Sequence, residues 1–515
     1  MSEKVQDHIF ELIHNMQKSE RRYFKIYASK HVIGEENNYE ALFDFFAKLD
    51  VYNEEQLRQH FAGQAMLNNL TITFHRLYDH LLKALESYHA STSVDLELRH
   101  LLNYADILYN KSLYAACAKM CKKIKKLAMQ HDRNTALLEH NRIVKKLIEV
   151  ENYEKVKSNE LEEIHQSDQL ILDNLSRISE LWFVKSKLLN KLNTEGHAKT
   201  ENDKKFYLEL SQQLKAPKSN LFEEQYLYLH AKAAQYFAVS DFNNCLIFIE
   251  KNLELFEQNP EKKETQLNRY ISLLSNAIYL HQISLKFNEA RNHLKQLKIV
   301  YASYDKKRAD DLAIKLFNST FSTELMINIH TGNFEQNIAI IPEISEQLEL
   351  FKSKISVVRE TYFHYCFAIS FLAVDKPKTA IKHINAVLNT ENSNKIQDTL
   401  DASRILQLIA LTELKEYQVV SSLSKSTKRQ LASHNKWGEF EKLLFRYLEK
   451  WARAEKKWEE EELFADFLEH LHKNAKTYST SSTYHIFPFK CWAESKFQQK
   501  SIGSCVQQQL SELAK

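Results

Sequence analysis

Two cysteines and three Glu/His pairs carry spacings that metal sites use. Cys117 and Cys121 are one helical turn apart, so both thiols would lie on one side of a helix. Tyr114 and Ile124 continue the same stripe, where a cysteine behaves as a small hydrophobic residue. No second pair of thiols or imidazoles follows at zinc spacing. The sequence therefore predicts packing for both cysteines, and it predicts no metal and no other cofactor.

The Glu-x-x-His pattern places a carboxylate and an imidazole on the same side of a helix, as in di-iron bundles. It occurs at Glu11/His14, Glu162/His165 and Glu469/His472. Three occurrences are about what the Glu and His content gives by chance. The chain has only 6 glycines and no P-loop, H-E-x-x-H or G-x-S-x-G motif. We therefore expect a protein that is not an enzyme, and no catalytic residue is nominated.

Basic residues in two helices are candidates for contact with nucleic acid. One group lies in the segment 19–25, where positive charge alternates with aromatic residues, and the other lies in the lysine run 119–126. The candidates are Arg21, Arg22, Lys25, Lys122 and Lys123. Against this function, the first 94 residues hold fewer basic than acidic side chains. A solvated helix face is the alternative interpretation of both groups.

The composition limits the class of fold that must position these residues. Six glycines and 5 prolines in 515 residues are far fewer than strand-and-turn folds need, so an all-α protein is predicted. A net charge of +3 gives no general attraction to nucleic acid. The 6 cysteines form no disulfide framework, and the N-terminus has no apolar signal core. We expect a cytoplasmic protein without a membrane-spanning helix.

An aromatic residue followed three positions later by a smaller one recurs along the chain. The recurring steps are Tyr114/Cys117, Tyr153/Val156, Phe242/Cys245, Phe287/Ala290, Phe334/Asn337 and Tyr417/Val420, with Pro377/Ala380 as a variant. Successive intervals run from 39 to 47 residues, apart from one double interval of 89. A period of this size indicates stacked helical hairpins, none of which can bury its apolar face alone.

These steps resemble the tetratricopeptide (TPR) repeat, in which an aromatic residue opens the second helix and a small residue permits close packing. Gly332-Asn333-Phe334 keeps the family's Gly-x-aromatic turn. The resemblance covers about residues 98–430 and implies an α-solenoid, a right-handed superhelix of helical hairpins. The spacing here averages about 43 residues, against 34 in the family and 40–47 in HEAT and armadillo repeats. We interpret the array as TPR-like with enlarged repeats, and a HEAT-type array is the alternative.

Three regions are predicted. Residues 1–95 have helical patterns without the repeat step and form a helical N-terminal module. Residues 96–478 form the repeat array. Residues 479–515 form C-terminal capping helices, because a solenoid needs atypical units to close its ends.

The TPR resemblance implies that the first helix of each hairpin lines a groove that binds a peptide or helix. The corresponding groove positions here are Tyr109, Phe237, Tyr279, Met326 and Tyr365. Rotation of longer helices into the core is the alternative for these side chains. We expect a non-enzymatic scaffold or adaptor that binds an unidentified protein partner. The alternative is a regulator whose N-terminal helices contact DNA or RNA while the solenoid senses a partner.

Overall fold

A computed structural model describes most of the chain. The described residues are 5–30, 38–49, 51–90, 93–154, 156–304, 310–352, 354–390 and 395–513. Within these ranges the secondary structure is helical and no strand is present, which confirms the prediction of an all-α protein. Consecutive helices pack as neighbours. None of the described helices has the length and apolar character that crossing a bilayer requires.

The chain divides into two compact units. The first contains residues 1–196 and 205–231, and the second contains residues 197–204 and 232–515. The helices of the first unit are α1 (Val5–Asn15), α2 (Lys18–Lys30), α3 (Asn38–Lys48), α4 (Glu54–His60), α5 (Leu70–His89), α6 (Val94–Asn110), α7 (Tyr114–Gln130), α8 (Asn134–Val150) and α9 (Ser158–Glu195). The division passes through α10 (Glu201–Gln212) and α11 (Phe222–Ala238). The predicted three-part division is finer and stays a prediction.

Second-unit helices continue from α12 to the C-terminus. They are α12 (Phe242–Gln258), α13 (Pro260–Thr265), α14 (Leu267–Ile283), α15 (Phe287–Ser303), α16 (Asp311–His330), α17 (Phe334–Leu350), α18 (Val357–Ala373), α19 (Pro377–Leu388), α20 (Gln397–Glu413), α21 (Tyr417–Ser433), α22 (Glu439–Arg453), α23 (Lys457–Lys473), α24 (Ala475–Tyr478), α25 (Phe489–Gln498) and α26 (Ile502–Leu513).

Two apolar cores are found among the described residues of the first unit. One lies among α1 to α5 and contains the fully buried side chains of Phe24, Phe46 and Leu77. The other lies among α6, α7 and α8 and contains Cys117, Cys121 and Ile124. The stripe predicted from Tyr114 to Ile124 therefore does face a core.

The recurring aromatic position marks the first residue of a second helix in six hairpins. Tyr114, Phe242, Phe287, Phe334, Pro377 and Tyr417 begin α7, α12, α15, α17, α19 and α21. Two residues earlier the backbone φ is positive, between 56° and 70°, at Ser112, Ser240, Leu285, Gly332, Asp375 and Lys415. The next residue donates its amide hydrogen to a carbonyl five residues back, at 2.8 to 3.0 Å in every case. Each first helix thus ends in the same left-handed cap.

The smaller residue of each step explains the close approach of the two helices. Cys117, Cys245, Ala290, Asn337, Ala380 and Val420 are at most 1% exposed.

One predicted step is wrong. Tyr153 lies in the turn after α8 with φ 61°, and the next helix begins only at Ser158, so Tyr153 does not open a second helix.

In the second unit, the first helices of the hairpins form a row. Helix α14 packs against α16, α16 against α18, α18 against α20, and α20 against α22. Each second helix packs against the first helix of the next hairpin: α12 against α14, α15 against α16, α17 against α18, and α19 against α20. We call α14, α16, α18, α20 and α22 the first-helix row.

Residues 479–513, called here the C-terminal segment, return along this unit instead of only closing its end. Helix α25 packs against α23, as a cap would. In addition, Trp492 Nε1 donates to Glu413 Oε1 at the end of α20, at 2.8 Å. Further back, Gly503 lies against Gly332 in the turn between α16 and α17, and Gln507 donates to Asn333 Oδ1 at 3.2 Å. Between these contacts, the Tyr365 hydroxyl on α18 donates to the carbonyl of Ile486 at 2.9 Å. The segment therefore contacts the three successive hairpins that begin with α16, α18 and α20.

Candidate partner-binding surface

Four of the predicted groove residues lie in the second unit, and each lies on the same side of the first helix of its hairpin. Tyr279 and Met326 stand eight residues before the start of their second helices, Phe237 stands five before, and Tyr365 stands twelve before. Offsets of five, eight and twelve fall on one stripe of an α-helix because they differ by three and four residues. The repeat therefore gives these side chains a common orientation on their own helices.

Tyr279 is the most exposed of the four, with 49% of its surface accessible. The ring of Phe237 lies 6.3 Å from that of Tyr279 in an edge-to-face arrangement. His197 and Phe242 pack on the other sides of Phe237 at 4.7 and 5.9 Å. The result is an aromatic cluster that supports one solvent-facing tyrosine, and aromatic side chains of this kind are enriched where proteins bind partners.

Met326 and Tyr365 are half-buried. The sulfur of Met326 lies 4.0 Å from the thiol of Cys366 on α18. The Tyr365 hydroxyl donates to the carbonyl of Ile486 at 2.9 Å, so the chain's own C-terminal segment covers this tyrosine. Burial raises the pKa of Tyr365 well above its ordinary value, and the phenol stays a neutral donor. At Tyr365 the candidate surface is therefore occupied within the same molecule.

A cavity of about 280 Å³, lined by both apolar and charged side chains, lies between the C-terminal segment and helices α18 and α20. Its lining includes Tyr362, Tyr365, Asp401, Lys436, Ser482 and Ile486. Asp401 is only 2% exposed and accepts hydrogen bonds from Gln397, Arg404 and Lys436, at 3.0, 3.2 and 2.9 Å. Burial lowers the pKa of Lys436, but its bonds to Asp398 and Asp401 outweigh this effect and raise the pKa. The floor of the cavity is thus an internally paired ionic network.

Tyr109 belongs to the first unit. Its half-buried ring packs against Tyr114 at 5.6 Å, and the Lys146 ammonium lies 5.4 Å from the ring centre. Tyr109 shares the register of Phe237 in its own hairpin, five residues before the second helix. The structure therefore gives it an equivalent place within its repeat, in the other unit.

The candidates for nucleic-acid contact differ in how free their charges are. Lys122, Lys123 and Arg22 are exposed. Lys25 is paired with Asp44 at 2.6 Å, and Arg21 donates to the carbonyl of His14 at 3.3 Å. Two of the five predicted contacts thus have competing partners, whereas the α7 lysines present their charge to solvent.

The predicted metal candidates can be compared with their surroundings. Burial raises the pKa of the Cys117 thiol, and it raises that of Cys121 to about 12. Since the thiolate is the form that binds metal, both environments favour the packing role. Cys117 also donates to the Ala105 carbonyl at 3.3 Å across the hairpin.

A different set of potential ligands comes together in the second unit. Glu250, His281 and His293 place one ligand atom each within 4.8 Å of the others. They are 31 and 12 residues apart and lie on α12, α14 and α15, so no local motif joins them. A signal becomes visible once the hairpins are aligned, because His281 and His293 stand six residues before and six residues after Phe287. Sequence reasoning by local spacing missed this cluster.

The same register holds stacked rings in other hairpins. Tyr236 and Phe248 stack at 5.5 Å around the start of α12, and Phe371 and His383 stack at 5.4 Å around the start of α19. The His281 and His293 rings stack at 5.3 Å.

Comparison of the chain with family models, with curated proteins and with solved structures found no match in any of the three.

Proposed function

We propose that this protein is a non-enzymatic scaffold or adaptor that binds a partner peptide or helix along its first-helix row. In this proposal the hairpins are enlarged TPR-like repeats that stack into a solenoid in the cytoplasm. The observation that carries it is the contact between Tyr365 and Ile486. There a short non-helical turn of the chain, residues 486–488 before α25, lies on a first helix at a groove position implied by the TPR resemblance. A surface that holds one such segment has the shape and hydrogen-bond donors to hold another.

The open part of the surface is the part available to a partner. Tyr279 projects into solvent from α14, whereas Ile369, at the same register on α18, is only 2% exposed. We therefore place the partner's main contacts at Tyr279 and Met326 on the row and at Phe237 on α11, whose ring contacts Tyr279. The Tyr365 end is assigned to the C-terminal segment. Apolar and aromatic anchors of this kind dominate the affinity of interfaces.

The test is a binding comparison between wild type and three variants. The partner is identified by affinity purification from the native host, and a fragment of it is then titrated against Tyr279→Ala, Met326→Ala and the control Trp458→Ala. Trp458 is an equally exposed aromatic residue (54%) on α23, outside the first-helix row. We expect the first two variants to weaken binding about tenfold or more and the control to match wild type. Equal affinity of all four proteins would refute the assignment of the surface.

The second candidate function is nucleic-acid binding, which the exposed lysines of α7 favour. Contact with phosphates releases counterions, so affinity for generic DNA and RNA would fall steeply with salt. Lys122→Glu combined with Lys123→Glu would reduce both the affinity and the slope. A flat and weak response of the wild-type protein would remove this candidate.

A further inference from the structure

Two imidazoles on two helices converge on one carboxylate oxygen from a third helix of the second unit. His281 Nε2 lies 3.0 Å from Glu250 Oε1, and His293 Nε2 lies 2.9 Å from the same atom. The two imidazole rings are nearly parallel, with 22° between their planes. The repeat packing creates this convergence because α12 contacts α14, and α14 contacts α15.

The cluster is enclosed on the imidazole side and open on the carboxylate side. The side chains of His281 and His293 are 7% and 15% exposed, whereas that of Glu250 is 35% exposed. The Nδ1 atom of each imidazole is buried and has no hydrogen-bond partner in the described part of the chain. These Nδ1 atoms point away from Glu250, so each imidazole offers the cluster its Nε2 atom.

The distances fit a transition-metal ion. Zinc lies about 2.0–2.2 Å from imidazole nitrogen and carboxylate oxygen, so two ligands of a tetrahedral ion are about 3.3 Å apart. The observed separations of 2.9 and 3.0 Å, with all three atoms within 4.8 Å, require only small side-chain adjustments. Two imidazoles and one carboxylate suit zinc and its neighbours in the first transition row. Calcium and magnesium prefer oxygen ligands throughout.

We propose that Glu250, His281 and His293 bind one divalent transition-metal ion of the zinc class. The three residues supply Oε1 and the two Nε2 atoms, and water completes the coordination on the exposed side of Glu250. The Nε2 atoms must be free of protons to bind the ion, so a proton on Nε2 moves to Nδ1 or passes to solvent when the ion binds. The ion joins the second helix of one hairpin, α12, to both helices of the next. The proposal is independent of the partner-binding function.

The experiment is a metal titration of the full-length protein. The protein is freed of metal with a chelator, the chelator is removed, and Co²⁺ is added while visible absorption is followed; Zn²⁺ is then used to displace the cobalt. His293→Gln and Glu250→Gln each remove one ligand while keeping a side chain of similar size. His89→Gln is the matched control, since His89 Nε2 also contacts a carboxylate, Glu20 Oε1, at 2.7 Å, and His89 belongs to no group of three potential ligands in the described part of the chain.

We expect one ion per chain in the wild-type protein and in the His89→Gln control. Affinity should fall at least about tenfold in both ligand variants, and Zn²⁺ should raise the melting temperature of wild type and control only. Circular dichroism of the metal-free variants checks that they remain folded. If His293→Gln does not fold, the comparison is made with Glu250→Gln. Absence of a stoichiometric ion, unchanged affinity in the folded ligand variants, or cobalt–thiolate absorption in the near ultraviolet would overturn the proposal.

Discussion

Acidification should loosen the hairpin formed by α18 and α19, because it holds a histidine in the neutral form. His383 Nδ1 lies 3.1 Å from Nδ1 of His364, a contact that needs one protonated and one unprotonated nitrogen. The His383 ring is also stacked on Phe371 at 5.4 Å and packs edge-on against Phe367 at 5.2 Å. A second proton between the imidazoles would set two N–H groups against each other in an apolar surrounding.

The size of the effect follows from the pKa of His383. Burial lowers this pKa first, and His364 and Lys382 lower it further, to about 4 from an ordinary value of 6.5. Between these two pH values the unfolded chain binds more protons than the folded one. The stability that neutral His383 contributes is therefore complete above about pH 6.5 and is lost as the pH falls toward 4. The full difference corresponds to roughly 3 kcal/mol, of which about 2 kcal/mol is gone by pH 4.5.

Hydrogen exchange measured along the chain is the suitable assay, because repeat proteins open locally and need not unfold in one step. Protection factors for α18 and α19, corrected for the intrinsic effect of pH, are compared at about pH 7 and pH 4.5. We expect wild-type protection to fall about thirtyfold, which is the equivalent of 2 kcal/mol. His383→Phe keeps the ring stack but cannot titrate, so its protection should fall much less.

Two features make this comparison decisive. His383→Phe leaves the His364 nitrogen without its partner, so the variant starts from a lower protection at neutral pH, and only the change with pH is compared. His472→Phe, at an exposed position on α23, controls for removal of any histidine and should behave as wild type. If wild type and His383→Phe lose the same protection between the two pH values, the reasoning from burial and the imidazole pair is wrong.

The other predictions concern two turns and one buried amide. Gly332→Ala should release α26, because a Cβ at Gly332 would lie 2.5 Å from the Gly503 carbonyl oxygen. Gly63→Ala is the control, since Gly63 also has a positive φ (+84°) but has open space around it. Equal proteolysis of α26 in both variants would contradict the prediction. Asn337→Ala should lower the stability of helices α16 to α18 by about 3 kcal/mol, since fully buried Asn337 bonds to Asn328, the Leu325 carbonyl and Ser370. Unchanged hydrogen exchange in those helices would count against a structural role for this amide.

Much of the helical organisation could be predicted from the aromatic step, for a physical reason. The aromatic residue begins a second helix because the preceding cap reverses the chain two residues earlier, and the smaller residue three positions later faces the first helix. The cap itself was hidden, since only Gly332 among its six positive-φ residues is a glycine. Leu285 and Lys415 adopt the same conformation without the usual residue preference. Tyr153 shows the limit, because the matching letters there lie in a turn.

The arrangement of the site could be predicted less well, because it depends on contacts between distant segments. The register of Tyr279 and Met326 follows from the period, yet the cover over Tyr365 comes from a segment more than one hundred residues away. The Glu250 cluster forms because α12, the second helix of one hairpin, packs against the next hairpin, α14 and α15. Neither fact is present in local spacing, and both arise only when the hairpins are packed in order.

The register of the ring pairs also explains why, among the described residues, one hairpin combines these side chains into a potential metal site. The residues six positions before and six positions after the start of a second helix face each other across the hairpin. Any two rings that stack can fill these two positions. The hairpin of α18 and α19 has Phe371 and His383 there, and Pro342 occupies the position on α17 that corresponds to Glu250 on α12. One imidazole without a carboxylate gives a buried neutral histidine. Two imidazoles that face a carboxylate from the preceding hairpin give three converging ligand atoms, so the same packing position supports different chemistry in the two hairpins.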